Sequence, residues 1–293
     1  MDPSLAPLTS FSDEDIRRTQ PALKIGLLAT VTAEGLPHVT MLSTLMACGP
    51  TRLSFGQFTE GLSKQHLRAN PHAGFMIMGL DRRLWRGSAL WTETARQGAE
   101  YEHYNNVPMF RYNAYFGVHT VHYLDLVRHT GLRPLPMTAI VLASVQTVLA
   151  RALAGARNPQ PVLNAWTRGF LNKIDNLKFL SYVDAGGFPV IVPAIQTQVL
   201  DEEHLVFSSS VYTEELLRIP AGADLAAFGL ALTMEDVLTR GTFLGYRRMH
   251  GMKVGVLRVS WVYNPMPPVP GQVYPAVPLA PVRDFGGQGG PTP

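Results

Sequence analysis

Short apolar runs, separated by turns that contain glycine or proline, dominate the hydrophobic pattern of the chain. The runs "KIGLLATV" and "HVTMLSTLMA" flank a turn at Glu34-Gly35, which is the pattern of a β-hairpin. Further runs of strand length follow, namely "RLSF", "AGFMIM", "RGSALWT" and "VHTVHYLDLV". Five or six short strands with regularly spaced turns predict a small antiparallel barrel or sandwich.

The same pattern occurs twice in the chain. "LLATVTAEGLPHVT" is answered by "FLSYVDAGGFPVIV", which pairs Gly35 with Gly187 at a shift of 152 residues. The same shift places Phe55 on Phe207, and "RGSALWT" meets "RGTFLGY" two residues later, at a shift of 154. A nearly constant shift across three motifs indicates a tandem duplication.

Helices are predicted at the edges of this plan. Ser12 precedes three acidic residues and is expected to cap a short first helix. The stretch "PLPMTAIVLASVQTVLA" is uncharged, but it carries polar residues in its middle and is short for a membrane span. Apolar positions recur in it at helical spacing, so we expect a buried connecting helix whose inner face is formed by Val141, Val145, Val148 and Ala152.

These patterns divide the chain into four parts. We expect a first barrel over residues 1–130, a helical connector over 131–176, a second and degenerate barrel over 177–264, and an extended tail over 265–293. The tail is rich in proline and glycine, and we expect it to be disordered toward its end. The predicted fold class is mainly β (α+β), with two tandem antiparallel barrels joined by a helical connector.

Composition excludes several classes of function. Lys and Arg total 25 against 22 Asp and Glu, so the net charge of +3 gives no cationic stripe for nucleic acid. Cys48 is the single cysteine, and the first residues lack a signal-peptide pattern, so we expect a cytoplasmic protein without membrane attachment. The nine histidines form no pattern typical of metal ligands, and we predict no metal site.

The polar stretch "FGQFTEGLSKQHLRANP", from Phe55 to Pro71, carries the candidate chemistry. It supplies the hydroxyls of Thr59 and Ser63, a glycine and the ammonium of Lys64 at the start of a short helix. Phosphate binds where such donors meet a helix N-terminus and a cation, so the loop is a candidate phosphate site. The alternative is that Ser63 merely caps the helix and Lys64 is a solvated surface charge.

The order of these motifs resembles a known family. "LLATVTAEGLPHVTMLS", "RLSFGQFTEGLSKQHLRANPHAGFMIM" and "RGSAL" are similar to the FMN-binding split barrel of the pyridoxamine 5'-phosphate oxidase-like and flavin reductase-like proteins. The resemblance implies an FMN-dependent oxidoreductase that moves electrons to or from an unidentified small molecule. A non-catalytic flavin-binding or redox-sensing module, and a split barrel that binds F420 or haem, are the alternatives.

The resemblance also implies an arrangement and a set of contacts. The two split barrels would form a pseudo-dimer within one chain, which is a monomer or a homodimer, with one FMN site built on the first copy. The residues implied to contact FMN are Thr40, Met41, Gly56 and Gln57 along the ring and ribityl chain, and Thr59, Ser63 and Lys64 at the phosphate.

A second candidate region follows at "EYEHYNNVPMFRYNAYFGVHTVHY". Its mixture of aromatic, His and Arg side chains suits a pocket over a flat ring. The candidate substrate contacts are His103, Tyr104, Arg111 and Tyr112. The alternative is a partly buried loop with ordinary aromatic packing, and no catalytic residue is predicted.

Overall fold

The structure is a computed structural model, and it describes residues 7–108, 117–152, 159–249, 251–266 and 270–278. By its internal contacts the chain separates into two units. One unit consists of Met1–Leu135 with Val183–Ile191, and the other consists of Pro136–Tyr182 with Val192–Pro293. The four-part division drawn from the sequence stays a prediction.

The first sheet is antiparallel and contains eight strands in the order β2-β1-β5-β6-β7-β4-β3, with β8 paired to β6. Its strands are β1 (Ile25–Val31), β2 (Pro37–Met41), β3 (Met46–Gly49), β4 (Arg52–Gln57), β5 (His72–Met78), β6 (Arg83–Ala95), β7 (Thr120–His129) and β8 (Arg133–Pro134).

The second sheet repeats this order with eight further strands, as β10-β9-β13-β14-β15-β12-β11, with β16 paired to β15. Its strands are β9 (Leu177–Val183), β10 (Pro189–Pro193), β11 (Gln198–Val199), β12 (His204–Ser208), β13 (Asp224–Leu230), β14 (Asp236–Met249), β15 (Met252–Asn264) and β16 (Gly271–Tyr274). Each of the strands β1 to β7 therefore has a counterpart in the second sheet whose number is higher by eight.

The predicted fold class is confirmed, because the chain is mainly β and carries two tandem antiparallel split barrels with the same strand order. The hairpin turns are also where the sequence predicts them. Gly35 and Gly187 have φ of +83° and +80°, a conformation that glycine adopts without the strain of a side chain. The pseudo-dimer arrangement remains an expectation from the resemblance.

The number of strands in each copy was underestimated, because one predicted strand is broken in both copies. "HVTMLSTLMA" forms β2 and β3, separated by a turn in which the Leu45 N–H donates to the Leu42 carbonyl at 3.1 Å. The second copy breaks in the same place, where the Thr197 N–H donates to the Ala194 carbonyl at 2.9 Å. The hydrophobic pattern does not reveal such a turn, because the backbone N–H and C=O groups of the turn form their hydrogen bonds within the protein.

Six helices lie in the described residues: α1 (Asp13–Thr19), α2 (Leu62–Ala69), α3 (Ala99–Asn106), α4 (Met137–Ala152), α5 (Ala165–Asn172) and α6 (Thr213–Leu217). Ser12 caps α1, as predicted, and forms a reciprocal capping box with Asp15. In the described part of the chain, each helix is too short or too polar to cross a membrane.

The predicted inner face of α4 is wrong. Val141, Val145 and Val148 are exposed, and so is Ala152. The buried face instead carries Ile140, Ala143, Ser144, Thr147 and Ala150, and it packs on β12. The hydroxyls of Ser144 and Thr147 donate to carbonyls one turn earlier, each at 2.8 Å, so this polar pair is buried without loss of hydrogen bonds.

Candidate functional site

The candidate site lies where β4 ends and the chain enters α2. Gly56 and Gln57 close the strand, and both are buried. The Thr44 hydroxyl accepts from the Gly56 N–H at 3.1 Å and donates to its carbonyl at 3.0 Å. The backbone of Gly56 is thus held by the turn between β2 and β3.

The start of α2 decides between the two interpretations of Ser63 and Lys64. The N-cap of α2 is Gly61, and no side chain forms a capping hydrogen bond there. Ser63 lies inside the first turn, 1% exposed, and its hydroxyl has no hydrogen-bond partner among the described residues. Ser63 is therefore not the cap of this helix.

Lys64 is not a solvated surface charge either. Its side chain is 6% exposed, and in the described part of the chain its ammonium forms no hydrogen bond or ion pair. Burial lowers the pKa of Lys64 to about 8, and the nearby Glu60 carboxylate opposes this shift only in part. A buried cation without a bound anion is unfavourable, so the local electrostatics favour an anionic ligand.

A chain of hydrogen bonds lies beside this lysine. The Arg68 guanidinium donates to the Glu60 carboxylate at 3.0 Å, and the Gln57 amide donates to the other carboxylate oxygen at 2.7 Å. The Gln57 side-chain oxygen then lies 2.7 Å from His122 Nε2. The Glu60 carboxylate is therefore bound by Arg68 and Gln57, and the Lys64 ammonium has no ion pair in the part of the chain that the structure describes.

His122 is the last member of this chain of hydrogen bonds, and it is buried and neutral. Burial, together with the positive charges of Lys64 and Arg68, lowers its pKa to about 4. Its ring stacks on Phe55, with centroids 4.6 Å apart, and its Nδ1 atom is buried without a hydrogen-bond partner among the residues described. Because the Gln57 oxygen can only accept, the His122 proton lies on Nε2.

The other residues implied to contact FMN lie around this cluster. Thr59 is exposed in the loop before α2. Thr40 and Met41 are half-buried at the end of the edge strand β2. The helix α2 packs on β1 and β2, where His66 lies 3.1 Å from the Thr30 hydroxyl. Ser63 and Lys64 are thus carried by the same helix that contacts β2.

Of the candidate substrate residues, the structure describes His103 and Tyr104, whose rings lie edge to face with centroids 5.7 Å apart. His103 is exposed on α3, whereas Tyr104 is 1% exposed and its hydroxyl lies 2.8 Å from the Ser54 hydroxyl. Tyr104 packs in a core cluster with Val118, which is the ordinary aromatic packing that the sequence left open. Arg111 and Tyr112 lie outside the described residues.

The described residues of the second copy have a different arrangement at the matching position. At the shift of 152 residues, Glu215 and Leu216 stand in place of Ser63 and Lys64, and both are buried. The end of β12 is covered by α4, whose Thr147 hydroxyl accepts from the Ser208 N–H at 3.0 Å. Among the described residues, the second copy therefore has no buried serine and lysine pair at the matching position.

Sequence reasoning missed His122, Glu60 and Arg68 as members of the cluster. Glu60 and Arg68 lie eight residues apart and meet only because the loop folds back on α2. His122 faces Phe55 across the β4–β7 ladder, a register that becomes visible only when the strand pairing is known. The alternation of strand residues identifies a face but not a partner.

No family model matches this chain. No curated protein matches its sequence either. The solved structures that are similar to about two-fifths of it include an FMN-binding protein from Syntrophomonas wolfei, an FAD-binding protein from Mesorhizobium loti and an F420 reductase. Their identities are 13%, 14% and 20% and their TM-scores are 0.34, 0.30 and 0.30. They cover 42%, 41% and 42% of this chain and 88%, 93% and 98% of their own.

Proposed function

We propose that the chain is a flavoprotein that binds a single FMN on its first barrel and uses it to move electrons to or from a small molecule. The observation that carries the proposal is the pair at the start of α2. Lys64 is a nearly buried cation and Ser63 a buried hydroxyl, and neither has a hydrogen-bond partner among the described residues. They occupy the position that the motif resemblance assigns to the flavin phosphate.

The residues present fit a phosphate dianion. The Lys64 ammonium supplies a point charge, and the Ser63 hydroxyl supplies a donor whose bond is otherwise missing. Binding the phosphate raises the pKa of Lys64 toward its ordinary value, so a part of the cost of burying this lysine is recovered. Thr59 is a further donor candidate, because its side chain is exposed on the loop that leads into this helix.

The protein side of the proposed chemistry is binding and orientation. Bound FMN supplies electron and hydride transfer, which ordinary side chains cannot provide. We assign Thr40, Met41, Gly56 and Gln57 to the ring and ribityl chain, by the motif resemblance. Gln57 would be kept in one orientation at this edge of the site by its hydrogen bonds to Glu60 and His122, with Glu60 itself held by Arg68.

The absorption spectrum of the purified protein, followed by acid release and mass measurement of the cofactor, tests the proposal. Protein isolated without cofactor is titrated with FMN, riboflavin, F420 and haem under the same conditions. We expect a two-band flavin spectrum, one FMN per chain, and binding of FMN that is at least tenfold tighter than binding of riboflavin, which lacks the phosphate. A Soret band, a deazaflavin spectrum, or equal affinity for FMN and riboflavin contradicts the proposal.

Turnover separates an enzyme from a carrier or sensor. The loaded protein is mixed with NADH or NADPH, and the flavin absorbance is followed without oxygen and then with dioxygen or an artificial acceptor. Reduction and reoxidation over many cycles supports an oxidoreductase. A flavin that binds tightly but is not turned over by any donor and acceptor supports the non-catalytic module instead.

A further inference from the structure

The helix α4 exposes an apolar stripe to solvent. Val141, Leu142, Val145, Val148 and Leu149 are 56%, 62%, 53%, 38% and 49% exposed, and they lie on one side of the helix. Single exposed apolar side chains are ordinary on protein surfaces. Five large ones on consecutive turns of one helix form a contiguous patch, which marks an interaction surface.

The stripe is symmetric about its central residue. Relative to Val145, its members lie at positions −4, −3, 0, +3 and +4. Positions three and four apart share a helix face, so the stripe reads the same in both chain directions. A surface with this symmetry is complementary to a copy of itself turned by 180°, which is the condition for a two-fold interface between identical chains.

The charges of α4 favour a second copy over a membrane surface. Arg151 is the one charged residue in the sequence of the helix, and it lies beyond the end of the stripe. Two antiparallel copies hold their Arg151 residues at opposite ends of the pair, so no like charges meet. Helices that lie on membranes instead carry many cations on their polar face, and α4 has none there.

We propose that α4 pairs with α4 of a second copy of this chain, antiparallel, about a two-fold axis that passes through Val145. In this pairing Val141 faces Leu149 of the second copy, and Leu142 faces Val148. The stripe alone is smaller than a standard stable interface, so the dimer is weak and depends on concentration. The pairing involves the second unit only and does not rest on the flavin proposal.

Disulfide trapping tests the geometry directly. In a Cys48→Ala background, single cysteines are introduced as Val145→Cys, Val141→Cys and Leu149→Cys. We expect Val145→Cys to form a covalent dimer on mild oxidation, because each copy presents this residue at the axis. In Val141→Cys alone the two thiols lie about 12 Å apart along the pair, which is too far for a disulfide.

Mixing supplies the matched control. Val141→Cys and Leu149→Cys proteins, oxidised together, should form a heterodimer, although neither forms a homodimer alone. Strong homodimer formation by Val141→Cys indicates a parallel pair and overturns the proposal. Absence of any covalent dimer in Val145→Cys at high concentration also overturns it.

Reversible association provides an independent measurement. Sedimentation velocity of the natural sequence over about 5 to 500 µM should show a shift from monomer toward dimer. Val145→Glu should remain monomeric and keep its melting temperature, because the residue is exposed, and an equal mixture with Val145→Lys should recover the dimer. If Val145→Glu still forms a dimer, the dimer interface does not include α4, and the proposal is wrong. If the natural protein floats with neutral lipid vesicles, the stripe binds a membrane, which also overturns the proposal.

Discussion

The Nε2 atom of His122 lies 2.7 Å from the side-chain oxygen of Gln57, whose amide in turn donates to Glu60 at 2.7 Å. Arg68 can only donate and the Glu60 carboxylate can only accept, so the Gln57 amide donates to Glu60. The Gln57 oxygen is then left to accept from His122. The result is a buried histidine that is neutral at pH 7 and lies near a lysine with no ion pair among the described residues. The arrangement has consequences for stability as well as for binding.

Acid should destabilise the protein through His122. Its pKa is about 4 in the folded protein and about 6.5 when unfolded, so the unfolded state takes up the proton first. The stability that neutral His122 contributes is fully present above pH 6.5 and is lost as the pH falls toward 4. We expect His122→Gln, which keeps a donor for Gln57, to reduce the loss of unfolding free energy between pH 7 and 4.5 by roughly 1–2 kcal/mol.

The control for this measurement is His119→Gln. His119 is exposed and lies three residues away, so this variant removes a histidine of the same strand region without touching the buried cluster. Urea unfolding at several pH values measures both variants. Equal acid sensitivity of the natural protein and His122→Gln would contradict the assignment.

Removal of the Lys64 charge should weaken FMN binding. Lys64→Ala is expected to lose roughly 1.5–3 kcal/mol, or about 10- to 150-fold in affinity, the range of a hydrogen bond to a charged group. Riboflavin has no phosphate, so its affinity should not change in the same variant. Lys173→Ala removes an exposed lysine from the second unit and should bind FMN normally. Fluorescence titration measures all three, and unchanged FMN affinity in Lys64→Ala contradicts the phosphate assignment.

FMN binding should also decline in mild alkali. The free protein has a Lys64 pKa of about 8, so the cation is progressively lost above this pH, whereas the phosphate is already a dianion. The dissociation constant should rise between pH 8 and 9.5 by up to tenfold per pH unit. Lys64→Arg stays charged throughout this range and should show a flat profile. Parallel profiles for the two proteins would exclude Lys64 as the titrating group.

The same lysine should cost stability when no ligand is bound. Its folded pKa of about 8 lies below the ordinary 10.5, so the folded protein disfavours the charged form, and stability rises as the pH increases from 8 to 10.5. Lys64→Met without flavin should therefore be more stable than the natural protein at pH 7, by roughly 1–3 kcal/mol. Thermal unfolding should show this difference shrinking by pH 10.5. A less stable Lys64→Met at pH 7 would indicate that the lysine is satisfied in the fold.

The duplicated Arg-Gly motif should tolerate no side chain at its glycine. A Cβ at Gly87 would lie 2.1 Å from the carbonyl oxygen of Arg128, and one at Gly241 would lie 1.9 Å from that of Arg258. Each Ala substitution should cost about 3 kcal/mol or more, because the obstructing atom is backbone of the neighbouring strand. Gly169→Ala, in the open on α5, should instead be neutral or stabilise by up to about 1 kcal/mol. Urea unfolding of the three variants compares them.

Local signals in the sequence were sufficient for much of the fold. The Ser12 cap and the glycine turns at 35 and 187 depend on residues within a few positions, and the structure has them as predicted. The duplication is likewise visible in the sequence, because two copies of one fold need the same turns and close strand contacts at the same spacing. Both Arg-Gly motifs are an example, since each glycine faces the backbone of a neighbouring strand.

Which faces are buried depends on packing between elements that are far apart in the chain. The helix α4 is apolar nearly all round, so its periodicity could not select between Val145, which is exposed, and Thr147, which is buried against β12. The burial of Lys64 and its proximity to His122 depend on how α2 packs over strands far away in the chain. The repeated strands, and the hydroxyl and lysine side chains of the candidate phosphate loop, can be read from the order of the residues alone. Packing between distant elements determined that the lysine of this loop is buried and lacks an ion pair in the described part of the chain.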